Sequence, residues 1–162
     1  MTSALGWFTA VHTLVSLIAI AAGIGAIRGL RQASAQSTTM TVFLVTALVT
    51  SVTGFLFPYH GFTPAIGVGI VATLVLVWAF LARRSAARVG HGSAQFALAV
   101  VISEYFLVFV LIAQVFAKLP ALAALPANLK QPLFGATQLV VLIAFVVIAV
   151  RSVRTLRARA AA

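Results

Sequence analysis

The chain has 162 residues, 63% of them hydrophobic and 7% charged, with a mean hydropathy of +1.18. A soluble domain carries about 25% charged residues, so this composition cannot cover a water-facing surface and points to an all-α, polytopic membrane protein. Eleven Lys and Arg against one acid give a formal net charge of +10, but they punctuate apolar stretches instead of clustering on one face, which argues against a nucleic-acid partner. The absence of cysteine excludes disulfides, thiolate metal sites and thiol catalysis. A lone carboxylate excludes a two-carboxylate mechanism within one chain.

A membrane span needs roughly 20 mostly apolar residues. In chain order, the stretches 4–27, 39–57, 64–82, 94–117 and 132–150 meet that requirement, which predicts five transmembrane helices in a single domain covering 1–162. The first span carries Thr9, His12, Thr13 and Ser16 on one face, with Ala19 and Gly23 below them. Ala33-Ser34-Ala35 resembles a signal-peptidase site, but no positive residue precedes the apolar run and arginines follow it, so the segment reads as a span. In the second span Thr39, Thr46, Thr50 and Thr53 form a stripe beside Gly54. The third opens on Thr63 and Pro64, a helix cap and first helical position, and continues with Ala65, Gly69 and Thr73 four apart. Small and hydroxyl residues mark interior faces in lipid, so spans one to three are expected to pack together.

Between the second and third spans, residues 57–64 read Phe-Pro-Tyr-His-Gly-Phe-Thr-Pro. Proline and glycine explain this segment as a hairpin turn with interfacial aromatics. The alternative is an outer lid with His60 as a pH sensor or ligand. In the loop after the fourth span, leucines at 119, 122, 125 and 129 follow a helical spacing, which fits a short interfacial helix or hydrophobic loop packing.

Lys and Arg sort by side. Arg28, Arg31, Arg83, Arg84, Arg88, Arg151, Arg154, Arg157 and Arg159 fall on one side of the five-span layout, and Lys118 and Lys130 on the other. The positive-inside bias therefore places the N-terminus outside and the C-terminus in the cytoplasm. Arg151, Arg154, Arg157 and Arg159 extend past the last span and suit anionic lipid headgroups.

Glu104, the only acid, lies inside the fourth span, where a charged residue costs about 2.5 to 3.5 kcal/mol. It reads either as a proton- or cation-coupled site or as a packing element bonded to His12, Ser103 or Tyr105. Counting along the spans puts Glu104 about 15 Å and His12 about 12 Å from opposite membrane faces, so the two are expected at similar depth. Gln114 and Gln138, with His12, Thr50 and Thr53, are candidates to line an outward-facing polar pocket. His12 is also a candidate haem or quinone contact with His60 as partner, or simply a hydrogen-bonded interior histidine; no metal-ligand cluster is present and the cofactor stays unassigned.

Five short spans around the Phe57-Pro58-Tyr59-His60-Gly61 turn give an outline similar to small bacterial inner-membrane proteins, which implies an inner-membrane location but transfers no activity. Three functions follow as expectations. The first is a non-catalytic binding or accessory subunit in a homo-oligomer or membrane complex. The second is a proton-coupled transporter or channel component using Glu104, and the third is a haem b or quinone redox subunit using His12 and His60.

Overall fold

The computed structural model describes residues 4–30, 37–58, 61, 63–86 and 92–160. Among the described residues the chain forms six helices and no strand: α1 (Ala4–Leu30), α2 (Thr38–Gly54), α3 (Pro64–Ala86), α4 (Gly92–Lys118), the one-turn α5 (Pro120–Ala123) and α6 (Ala127–Ala160). Four of them, α1, α3, α4 and α6, are long and apolar enough to cross a membrane. The fifth expected span, α2, is 17 residues long and ends at Gly54, three residues before the expected boundary.

Local chemistry sets the ends. Ser37 caps α2 by accepting from the Met40 N–H at 3.2 Å. Thr63 accepts from the Ile66 N–H at 3.4 Å, ahead of Pro64 at the first position of α3, as its sequence suggests. Gly61 takes φ 87°, a left-handed conformation that disfavours side chains, and so turns the chain between α2 and α3. The helical leucine spacing at 119–129 is realised only as α5, because α6 already begins at Ala127. Pro132 lies inside α6 rather than at its start; so near the end of the helix, its missing N–H removes a single bond.

The core lies at one end of the bundle, where the end of α1, the start of α2, the end of α3, the start of α4 and the end of α6 meet. It contains Ala19, Ala26 and Leu30, then Met40, Phe43, Leu44 and Ala47, then Leu76, Ala79 and Ala82, then Phe96, Ala97, Ala99 and Val100, with Leu156 closing it. Arg83 Nη2 donates to Thr41 Oγ1 at 2.8 Å across this end, joining α3 to α2. α4 is the central helix: it packs on α1, α3, α5 and α6, while α1 packs on α2, α4 and α6.

The expected packing of spans one to three is found between α1 and α2 and between α2 and α3, while α3 packs more extensively on α4. Met40, Phe43, Leu44 and Ala47 form the buried face of α2, and the threonine stripe borders it toward α1, where Thr53 meets His12 and Thr39 lies against Gly25. Thr46 donates to Val42 O at 2.7 Å and Thr53 to Val49 O at 2.6 Å. Hydroxyls that bond their own helix need no neighbouring one. On α3 Ala65 is exposed and Gly69 half-buried against Phe55, and Leu76, Ala79 and Ala82 are buried instead.

In lipid, close packing holds helices together, because hydrocarbon solvates an exposed valine as well as a core does. Phe43→Ala should therefore lower the stability of the detergent-solubilised bundle by about 3 kcal/mol through lost contacts. Val140→Ala, on the outer face of α6, should leave its unfolding midpoint nearly unchanged. A denaturation series on both variants measures the contrast.

Candidate functional site

Glu104 is 1% exposed and sits where α4 meets α1 and α2. Its carboxyl rests on Gly23: a methyl group built at that glycine would overlap Glu104 Oε2 and Cδ and come within 2.9 Å of Phe43 Cε2. The α1 face that receives it is made of small residues, Ala19, Gly23 and Ala26. Only a residue without a side chain leaves room for the carboxyl there. Neither carboxyl oxygen has a hydrogen-bond partner among the described residues. A carboxylate so enclosed, without donor or counter-charge, would cost several kcal/mol.

The expected proximity to His12 is not found. Glu104 packs at the level of Gly23, eleven residues along α1 from His12 and about 16 Å away by helix rise. The depth count assumed that Ala4 and Ala94 lie at opposite membrane faces, whereas Glu104, twelve residues into α4, packs on a glycine seven residues before the end of α1.

His12 belongs to a second, separate contact near the open end of the bundle. Its Nδ1 lies 2.8 Å from Thr53 Oγ1. The single hydroxyl proton of Thr53 is given to Val49 O at 2.6 Å, so the hydroxyl accepts from Nδ1–H and Nε2 keeps its lone pair. Phe57 meets the imidazole edge-on, with ring centres 5.0 Å apart, and Phe8 packs 4.8 Å from Phe57. Thr9, Thr13 and Ser16 return their hydroxyls to carbonyls of their own helix, at 2.7 to 2.8 Å.

The remaining candidates fall elsewhere. Tyr105 faces α6 in an aromatic cluster with Phe106, Phe109 and Phe145, 5.5 to 6.0 Å between centres, and does not bond Glu104. Gln138 is buried between α6 and α4, donating from Nε2 to Phe109 O at 3.0 Å. Ser103 and Thr50 each bury a hydroxyl without a partner among the described residues. Gln114 is exposed, so it does not join a shared interior pocket. Arg151, Arg154 and Arg157 are exposed on the last turns of α6, while Ser152 and Leu156 face inward. His60, His91, Arg31 and Arg88 lie outside the described residues, as does the side chain of Arg159, so the His12–His60 pairing cannot be placed.

The polar residues thus divide among three contacts: Glu104 on Gly23, His12 with Thr53, and Gln138 on α4. Gly23 and Phe43 as the seat of the carboxyl, Phe8 and Phe57 around His12, and the buried Ser152 had not been singled out from sequence. For Gly23 a signal existed, since it extends the small-residue face of α1; nothing in the sequence pairs it with Glu104. Among the described residues no group of three or more His, Cys, Asp or Glu side chains gathers to hold a metal ion. The chain matches no family model, no curated protein and no solved structure.

The hydrogen-bond assignment at His12 is checkable by nitrogen NMR on histidine-labelled protein, with His12→Gln to identify the signal. The Nδ1–H tautomer should dominate. Thr53→Val, which keeps the shape and removes the acceptor, should abolish that preference and cost about 1 kcal/mol of stability.

Proposed function

We propose that this chain is a five-span inner-membrane protein, N-terminus outside and C-terminus cytoplasmic, acting as a non-catalytic binding or accessory subunit that assembles with a second copy or another membrane protein. The observation that carries this reading is the unequal closure of the bundle. One end is sealed by the apolar core, while at the other Phe8, Thr9, His12 and Ser16 of α1 and Thr53 of α2 are only partly covered. Interhelical packing in membranes uses small and polar side chains, so a half-covered polar face within the apolar spans suits a neighbouring helix. The division of polar groups among three contacts also supports a binding role over a catalytic one. Arg151, Arg154 and Arg157, and Arg159 after them, suit anionic headgroups on the cytoplasmic side, at about 1 kcal/mol each. α2 as a fifth crossing is supported by the positive residues on either side of the layout, with Lys118 and Lys130 opposite the arginines.

A second reading is a proton-coupled carrier or channel component using Glu104. It is favoured by one observation, the fully buried carboxyl without a hydrogen-bond partner, since ionisable groups within spans mark ion and proton pathways.

The natural lack of cysteine allows single thiols to report topology. Lys118→Cys should react with an impermeant maleimide from outside intact cells, and Arg154→Cys only after the membrane is opened; the reverse pattern would invert the proposed orientation. Purification in mild detergent should yield a complex of fixed stoichiometry, either of this chain alone or with a partner. A monomer that drives proton-linked flux in proteoliposomes, with the flux lost in Glu104→Gln, would replace the accessory reading with the carrier.

A further inference from the structure

The carboxyl of Glu104 unites three features. It is 1% exposed, both oxygens lack a hydrogen-bond partner among the described residues, and it occupies the one place on α1 where a Cβ would collide with it. A packing element alone would need none of this, because an apolar side chain fills such a slot without stranding two polar atoms. The carboxyl also joins two halves of the bundle. α3, α5 and α6 pack on α4, whereas α1 and α2 pack against one another; α1 meets α4 along the face containing Gly23, where Phe43 of α2 also reaches, and α2 rests on α3.

We propose that Glu104 and Gly23 form a proton-operated latch between α4 and the α1–α2 pair: the neutral carboxyl docks on the bare backbone of Gly23, and transfer of its proton to a water molecule or buffer base undocks it. This deepens the carrier reading, on which it rests, by naming the helix pair that proton binding moves. The docked state holds one proton more than the undocked state, so linkage makes docking favoured at low pH and lost as pH rises.

The surroundings fit that direction. α2 carries no charged residue, and on α1 the nearest titratable or charged groups are His12, eleven residues before Gly23, and Arg28, exposed five residues after it. Tyr105 of α4 turns to α6, and Lys118 ends the helix. Arg83 and Arg84 of α3 and Arg151, Arg154 and Arg157 of α6 lie at the sealed end, with Arg83 engaged by Thr41. No described cation therefore faces the carboxyl to hold it in place once ionised.

Glu104 is the only side-chain carboxyl of the chain, which makes the test specific. In proteoliposomes of the full chain, the infrared C=O stretch of a protonated carboxyl, identified by its loss in Glu104→Gln, is followed from about pH 5 to about pH 10. In parallel, Ala47→Cys places a thiol in the sealed α2 face, and its maleimide reaction rate is divided by that of the same cysteine in the Glu104→Gln background. This ratio cancels the thiol's own pH dependence. The band should disappear as pH rises while the ratio climbs from about one to about ten or more. A band that titrates with a flat ratio would overturn the latch and leave Glu104 as a proton-binding residue. A band that never titrates would overturn both. Gly23→Ala should raise cysteine reactivity already at low pH, and adding Glu104→Ala, which frees the space that the methyl takes, should restore protection. Unchanged reactivity in Gly23→Ala would also overturn the latch. Should Gly23→Ala fail to fold alone, the ratio decides on its own.

Discussion

A carboxyl group enclosed by helices must be placed where something admits it, and in this bundle that place is the backbone of Gly23. The constraint organises the centre of the molecule. Glu104 obliges α4 to lie inside, because the acid cannot face hydrocarbon cheaply. Gly23 obliges α1 to approach α4 closely at one level, and Phe43 brings α2 over the same point. The apolar core then fills the end beyond, with α3 and α6 laid against the other faces of α4. A larger side chain at position 23 would separate the helices that the acid brings together.

Away from that level the bundle follows looser rules. The hydroxyls of Thr9 and Thr13 in α1 and of Thr46 and Thr53 in α2 bond carbonyls of their own helix, which satisfies them without specifying a neighbour. Gln138 instead reaches from α6 to a carbonyl of α4, beside the aromatic contact of Tyr105 with Phe145, and Arg83 reaches from α3 to Thr41 of α2. The outer part of the α1–α2 pair is held by His12 and Thr53 and by the rings of Phe8 and Phe57. The sealed end is therefore packed by apolar shape and the open end tied by individual polar and aromatic contacts. A protein that exposes a binding face to a neighbour, or moves one helix pair against the rest, requires such a difference between its ends.

The functional readings draw on different parts of this arrangement. The accessory reading depends on the half-covered end and is indifferent to Glu104. The carrier and latch readings depend on Glu104 and Gly23 and are indifferent to what covers the open end. Three separated polar contacts, instead of one convergent pocket, keep these readings physically independent.

Composition and the spacing of apolar runs determined that this is a helical membrane protein. Charge in apolar surroundings identified Glu104 as the residue that needs explaining, and Thr63-Pro64 set the start of α3. These properties were legible because each depends on a residue and its near neighbours along the chain: span length, capping, and the cost of charge in hydrocarbon. What sits opposite Glu104 was not legible. Depth counting puts His12 at a similar level, and the fold puts Gly23 against the carboxyl, because the offset between two helices is fixed by the sum of their contacts and not by either sequence alone. The central place of α4 has the same origin. In lipid an exposed valine costs little and a threonine can satisfy itself, so the helix face that turns inward is chosen by fit between partners, which only the tertiary structure contains.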